Sequence, residues 1–362
     1  MSKIRVLVVD DSLFMRRMIT DILAEDPEIE VVGSARNGQE GLEMARQLQP
    51  DVITLDVEMP MMDGITMLER LMKEQPTAVV MVSSLTKEGA EVTLRSLELG
   101  AVDFVTKPSG SISLDLYKVS SQILEKVKAA ARVPRFRLRA LTQPFASRPV
   151  PTTPAPVPPA PPKAPSQFQN VLVVVGCSTG GPRALTTLMS QLPPDFHAPM
   201  LIVQHMPEGF TRSLAERLDR QSPMSVREAN AGDRLQPGVA YLAPGGRHLK
   251  LAQDRTLQLS QDPPVHGVRP SVDVTLLSVA QHFTGKVVIA ILTGMGSDGA
   301  MGARTLHAKG ARVLAEDEST CVVFGMPRAV IQAGCADRVV PLDQMAQALY
   351  EEVQALCKTQ AA

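Results

Sequence analysis

Short apolar runs alternate with longer stretches of helical spacing through the first 131 residues. The runs are IRVLVVD (4–10), EVVGSA (30–35), DVITLDV (51–57), AVVMVSS (78–84) and AVDFVTK (101–107). Between them, LFMRRMITDILAED (13–26), GQEGLEMARQL (38–48) and segments near 64–74, 87–99 and 113–131 repeat their apolar positions every three or four residues. A brief, unalternating run rich in Val, Ile and Leu is the pattern of a strand buried on both faces. Five such strands, each followed by a helix, predict an α/β doubly wound parallel sheet. Right-handed crossovers would bring the ends of strands one, three, four and five to one edge.

The alternation resumes in the back half. VLVVVG (171–176), MLIVQ (200–204), KVVIAILTG (286–294) and VLAED (313–317) read as buried strands, with shorter ones near 239–243, 248–251 and 256–260. A second doubly wound α/β domain is expected, whose strand order the pattern leaves open. Eleven of the 29 prolines fall between Pro134 and Pro165, and no acidic residue occurs from Lys126 to Pro194. Such a segment favours extended polyproline II and a semi-rigid spacer. The expected organisation is a first domain at 1–125, a helix end and Pro-rich linker at 126–168, and a second domain at 169–358. Arg132, Arg135, Arg137 and Arg139 stand at the linker's start, either as a basic contact or as solvated charge.

Composition narrows the class. With 37 basic and 38 acidic residues the charge is balanced, which argues against nucleic-acid binding, and the back half lacks a basic recognition helix. Trp is absent and aromatics are 3%, so the interiors rest on Val, Leu, Ile, Ala and Met. The four cysteines (177, 321, 335, 357) lack metal-ligand spacing and read as reduced thiols. The N-terminus has neither a signal peptide nor a membrane span, and no run approaches ~18 apolar residues. A cytoplasmic monomer without direct membrane insertion is expected.

In the front half, strand one ends in Asp10-Asp11, strand three in Asp56, strand four in Ser83-Ser84 and strand five in Lys107-Pro108. Three converging carboxylates repel one another and suit a hard divalent cation such as Mg²⁺. A carboxylate neutralised in this way can attack a phosphoryl group, with Lys107 and the Ser83 hydroxyl holding its oxygens. Residues 1–125 thus resemble a receiver domain of two-component response regulators, which has the flavodoxin-like five-stranded parallel sheet. That resemblance implies phosphorylation of Asp56 by a histidine kinase and Mg²⁺ held by Asp10, Asp11 and Asp56. It also implies that the backbone carbonyl of Glu58 completes the ligands and that Phe104 is the aromatic switch residue.

In the back half, three strand ends lead into Ser178, His205 and Asp298. Those residues are the parts of a nucleophile, a base and a base-orienter. Ser178 lies in GCSTGGPRAL, between a strand and a helix whose first N–H groups could stabilise an oxyanion. Neither GxGxxG nor GxxxxGK[ST] occurs, so a nucleotide loop is disfavoured. GxSxG is absent and the order Ser…His…Asp departs from that of ordinary α/β-hydrolases. Of the six histidines, only His205 directly follows a strongly apolar strand; Asp298 alone would be read as a turn residue.

The motifs GCSTGGP, QHMPEGFTRSLAERL, LAPGGRHL, VRPSVDVTL and LTGMGSDGAMGA resemble the catalytic domain of the CheB family of chemotaxis protein-glutamate methylesterases. The resemblance implies hydrolysis of glutamate γ-methyl esters on methyl-accepting chemotaxis receptors, with deamidation of certain glutamines. It carries the catalytic set over to Ser178, His205 and Asp298, with Thr179 and the Met295 backbone in support. A CheA-like kinase is the implied phosphodonor, and the ester reaction itself needs no cofactor. In the resting state the receiver would cover the Ser178 cleft, and phosphorylation would open it. Cys177 departs from the family's small Ala or Ser, placing a thiol beside the nucleophile where it could confuse alkylation experiments. A binding protein without catalysis is the rival reading.

Overall fold

The computed structural model describes residues 3–84, 86–107, 114–141 and 170–361. Pro108 and the proline-rich stretch at 142–169, assigned above to the linker, lie outside the described residues. The chain divides into two compact units, Met1–Pro144 and Phe145–Ala362.

The first unit runs β1 (Ile4–Val9), α1 (Leu13–Ala24), β2 (Ile29–Ala35), α2 (Gly38–Leu48), β3 (Val52–Asp56), α3 (Gly64–Glu74), β4 (Ala78–Ser83), α4 (Lys87–Glu98), β5 (Asp103–Thr106), α5 (Leu114–Ala131) and α6 (Arg135–Leu141). Its five strands form the expected parallel sheet in the order β2-β1-β3-β4-β5. Polar residues stop each strand and start the next helix. Ser12, Asn37, Asp63 and Thr86 each accept a hydrogen bond from the N–H three residues on, capping α1 to α4. Val6, Leu7, Val8, Ile53, Leu55, Val79 and Met81 are completely enclosed. Each such side chain contributes about 1.5–3 kcal/mol through burial.

The helix α6 falls within the span 126–168 expected to hold a helix end and Pro-rich linker, where an extended chain was expected from Pro134 onward. Pro134 lies just before the helix, where a missing N–H costs nothing because the first turn leaves those donors unpaired. Its carbonyl accepts from the N–H groups of Arg137 and Leu138. Leu138 is buried and so anchors the turn, whereas Phe136, Arg132, Arg135 and Arg139 are exposed.

The second unit runs β6 (Val171–Cys177), α7 (Gly181–Gln191), β7 (Met200–Gln204), α8 (Phe210–Gln221), β8 (Ser225–Glu228), β9 (Val239–Leu242), β10 (His248–Leu251), β11 (Leu257–Ser260), α9 (Val272–His282), β12 (Lys286–Ile291), α10 (Ala300–His307), β13 (Arg312–Glu316), α11 (Met326–Gln332), β14 (Arg338–Val340) and α12 (Leu342–Ala361). Seven strands pair in the order β14-β13-β12-β6-β7-β9-β8, every pairing parallel, while β10 and β11 form a separate antiparallel pair. The chain starts at the central β6, winds outward through β7, then returns on the other side at β12. The reversal of winding between β6 and β12 is the switch point at which doubly wound sheets hold ligands. Among the described residues, no helix is long and apolar enough to cross a membrane.

Candidate functional site

The first unit gathers its acidic residues where β1 and β3 end side by side. Asp10, Asp11 and Asp56 each offer a carboxylate oxygen, all within 4.8 Å of one another. Asp10 and Asp56 are buried and Asp11 is exposed. Lys107, arriving from the end of β5, places Nζ 2.7 Å from Asp56 Oδ2 and 3.2 Å from Asp10 Oδ2. Burial pushes Asp56 up to about 6; Lys107 opposes the shift and the neighbouring Asp10 charge adds to it. Burial likewise raises Asp10 against the pull of Lys107. For Lys107 itself burial works downward, but the two facing carboxylates outweigh it and hold the ammonium above the ordinary lysine value.

Among the described residues, the two buried oxygens Asp10 Oδ2 and Asp56 Oδ2 have the Lys107 ammonium as their only partner, leaving further lone pairs open. Buried carboxylate oxygens with free lone pairs are what an oxygen-liganded divalent cation requires, so the donor set fits Mg²⁺. Gly64 makes room for the site. A side chain there would place Cβ 1.9 Å from the Asp56 carbonyl oxygen, and the Gly64 N–H donates to the Val57 carbonyl at 3.0 Å.

Ser83 is at the expected strand end, with its carbonyl accepting from the Lys107 N–H at 2.7 Å. Its hydroxyl, however, lies toward α4, hydrogen-bonded to Thr93 at 2.7 Å and to the Gly89 carbonyl at 3.3 Å. No hydrogen bond among the described residues joins it to Lys107 or the carboxylates. Phe104 is buried, with Lys126 Nζ 5.0 Å from its ring centroid. Glu58 is exposed in the loop after β3.

In the second unit, β6, β7 and β12 deliver Ser178, His205 and Asp298 to neighbouring strand ends. Ser178 begins the turn into α7, its N–H donating to the Thr293 carbonyl at 3.0 Å and its carbonyl accepting from Gly181. His205 Nε2 is 2.7 Å from Asp298 Oδ2. Asp298 is buried, but three further donors reach it: the Ser271 hydroxyl at 2.9 Å and the N–H groups of Val272 at 2.7 Å and Asp273 at 2.9 Å. Those N–H groups belong to the first turn of α9, whose dipole favours a negative charge. Burial alone would raise Asp298; the hydrogen bonds and charge of His205 and the two N–H groups outweigh it and hold the carboxyl below its ordinary value.

With Nε2–H donating to an anionic Asp298, the base lone pair of the imidazole lies on Nδ1. No hydrogen bond joins the Ser178 hydroxyl to His205 among the described residues. Thr179 is buried and its carbonyl accepts from the Thr293 hydroxyl at 3.0 Å. Met295 is half-buried in the loop before Asp298, and no group among the described residues accepts from its N–H. His248, by contrast, has both ring nitrogens committed to the backbone of Pro263 and Ser271. His307 pairs with Asp337, and His266 pairs with Asp273, close to the Asp298 carboxylate.

Two residues of this site escaped the sequence reading. Ser271 was visible only as a polar residue before a helix. Glu316, the fourth residue of the run VLAED, ends β13, so its strand-end position was available as a signal. It is fully buried, accepting from the Thr293 N–H at 2.8 Å and the Thr320 hydroxyl at 3.0 Å, and so fixes the loop that receives Ser178. Cys177 differs from the alkylation expectation. Its thiol is fully enclosed, and burial together with the Glu316 charge pushes it well above the ordinary thiol value. A thiol held protonated and inaccessible does not compete for alkylating reagents. All four cysteines are buried thiols outside any disulfide.

Comparison with known proteins covers both units. Residues 6–116 match the family described as response regulator receiver domain, and residues 173–349 match CheB methylesterase. A protein-glutamate methylesterase/protein-glutamine glutaminase of Symbiobacterium thermophilum is 51% identical over 97% of this chain and 97% of its own length. One of Geobacillus kaustophilus with the same name is 49% identical over 97% of this chain and 99% of its own. The crystal structure of the Thermotoga maritima CheB methylesterase catalytic domain is 48% identical, covering 50% of this chain and 97% of that one, with a TM-score of 0.48.

Proposed function

The chain belongs to the CheB methylesterase family, with a response regulator receiver domain in front; from that premise we propose a phosphorylation-activated serine esterase. It hydrolyses glutamate γ-methyl esters, and deamidates certain glutamines, on the cytoplasmic parts of methyl-accepting chemotaxis receptors. The observation that carries the reading is the 2.7 Å pairing of His205 with a buried, fourfold-bonded Asp298 at strand ends flanking Ser178.

Nδ1 of His205 takes the Ser178 proton as Oγ attacks the ester carbonyl. The uncommitted Met295 N–H, with Thr179 beside the nucleophile, stabilises the oxyanion. His205 then returns the proton to the leaving methanol, or to ammonia from an amide. Water, deprotonated by His205, releases the glutamate carboxylate and restores Ser178. Asp298 fixes the tautomer and stabilises the imidazolium throughout. The Ser178–His205 contact tightens with substrate bound, as catalytic contacts of empty sites commonly do.

In the receiver, Asp56 accepts a phosphoryl group from a histidine kinase of the CheA-like kind. Asp10, Asp11, Asp56 and the Glu58 carbonyl would hold Mg²⁺, which supplies charge neutralisation for the incoming phosphoryl group. Lys107 neutralises its oxygens, and the Ser83 hydroxyl turns from Thr93 toward them, with Phe104 responding as the switch aromatic. The added charge of roughly −1.5 to −2 changes the receiver and raises esterase turnover.

The test is methanol release from receptor-bearing membranes, with and without a small phosphodonor. Ser178→Ala should abolish release while Asp56 phosphorylation persists, and Asp56→Asn should abolish only the stimulation. Turnover by Ser178→Ala would overturn the nucleophile, and stimulation of Asp56→Asn would overturn the phosphorylation site.

A further inference from the structure

We propose that Gln204 is a positioning residue of the esterase, its side-chain amide clamping the nucleophile loop to the base loop. This rests on the reading of Ser178 as nucleophile and His205 as base. The strands β6 and β7 pair in register as far as Cys177 and Gln204. One further backbone bond, from the His205 N–H to the Cys177 carbonyl at 3.1 Å, ends the ladder. Beyond it the two chains part, one toward α7 and the other into the loop before α8. The Gln204 amide bridges the gap. Its Nε2 donates to the Ser178 carbonyl at 3.0 Å and to the His205 carbonyl at 3.0 Å.

The other end of the amide is held as well. Oε1 accepts from the Cys177 thiol at 3.0 Å. Gln204 is 2% exposed, so water does not compete for these bonds. At Gly181, an added Cβ would lie 2.0 Å from Oε1. The glycine after the nucleophile turn therefore leaves space for this amide. A buried glutamine could merely satisfy itself on any nearby backbone. Here both carbonyls it selects belong to the two residues whose separation sets proton transfer.

Catalysis depends on that separation steeply, because a misplacement of about 1 Å costs roughly 100-fold in rate. Methionine at 204 fills nearly the same volume and offers no N–H. Glutamate would turn an anionic oxygen toward two carbonyls, and asparagine falls one methylene short.

The experiment uses the full chain with Ser178→Ala, Gln204→Met and Gly181→Ala. Two rates are read: methanol release from methylated receptor membranes, and labelling of Ser178 by a small fluorophosphonate, which needs no receptor docking. In Gln204→Met, kcat and the labelling rate should fall together by roughly 10- to 100-fold. KM should stay within about twofold, and Asp56 phosphorylation should be unchanged. Gly181→Ala should act in the same direction, yet add little in the Gln204→Met background, since both changes break one clamp.

A Gln204→Met protein that keeps wild-type kcat and labelling, or loses only KM, overturns the proposal. If Gln204→Met fails to fold, Gly181→Ala decides, and wild-type labelling there overturns it. Turnover by Ser178→Ala would bring down the esterase reading and this inference together. An inactive Ser178→Ala beside a fully active Gln204→Met would remove this inference alone.

Discussion

Asp298 remains anionic in a buried position because four donors converge on it, and the arrangement has a measurable signature. Its folded carboxyl lies below the ordinary value of 3.8. A depressed acid stabilises the fold at every pH above that value, and the contribution is lost as pH falls through the folded value. Thermal melts of the esterase unit should therefore weaken below about pH 4, and Asp298→Asn should show a shallower loss across that window. The same substitution should lower kcat by roughly 10⁴-fold, because it supplies the wrong hydrogen-bonding partner for the imidazole. At Gly64 the constraint is steric. A methyl group 1.9 Å from the Asp56 carbonyl oxygen forces the backbone to move. Gly64→Ala should cost the receiver about 1–3 kcal/mol in denaturant melts and slow phosphorylation of Asp56.

The helix α9 combines two tasks at its first turn. Ser271 caps it by accepting from the Val274 N–H, and donates its own hydroxyl proton to Asp298. Ser271→Ala should cost about 1 kcal/mol from the cap alone. It should also reduce kcat with little change in KM, measured by methanol release. Elements of this kind show why some of the molecule was legible and some was not. The buried strands β1, β3, β6, β7 and β12 stood out because each is an apolar run stopped by polar residues, and those stops, or for β12 the loop beyond it, hold the candidate site residues. By contrast, β8 (SVRE) and β14 (RVV) are short, partly exposed strands at the sheet edges, too brief for a period to register. The helix α6 hid behind its flanking proline and its arginines. Gln204 was invisible because a glutamine ending a strand carries no chemical signature; only the parting of two chains gives it a role. The outward turn of the Ser83 hydroxyl is a side-chain choice that no spacing records.

The whole molecule couples phosphoryl chemistry in one unit to ester hydrolysis in another, and the two have different requirements. The clustered carboxylates of Asp10, Asp11 and Asp56 fit the divalent cation proposed for the first. For the second we propose Ser178, His205 and Asp298, with no metal among them. Chelation with EDTA should therefore abolish labelling of Asp56 by a small phosphodonor, together with the stimulation it causes. Basal methanol release should be unaffected. Loss of basal release on chelation would show that the esterase reaction also draws on a metal.

The pairing distances along the chain carry a consequence for how the enzyme comes into being. Gln204 reaches back 26 residues to the Ser178 carbonyl, and Asp298 reaches back 27 residues to Ser271. Each closes a loop short enough to form early, within one helix and one strand of chain. The bond between His205 and Asp298 instead spans 93 residues and, with the β6–β12 pairing, joins these two halves. A nascent or refolding chain can thus possess both halves and remain inert until those long-range contacts form. Recovery of esterase activity should then trail the return of helical signal, making the enzyme its own clock for the last step of folding.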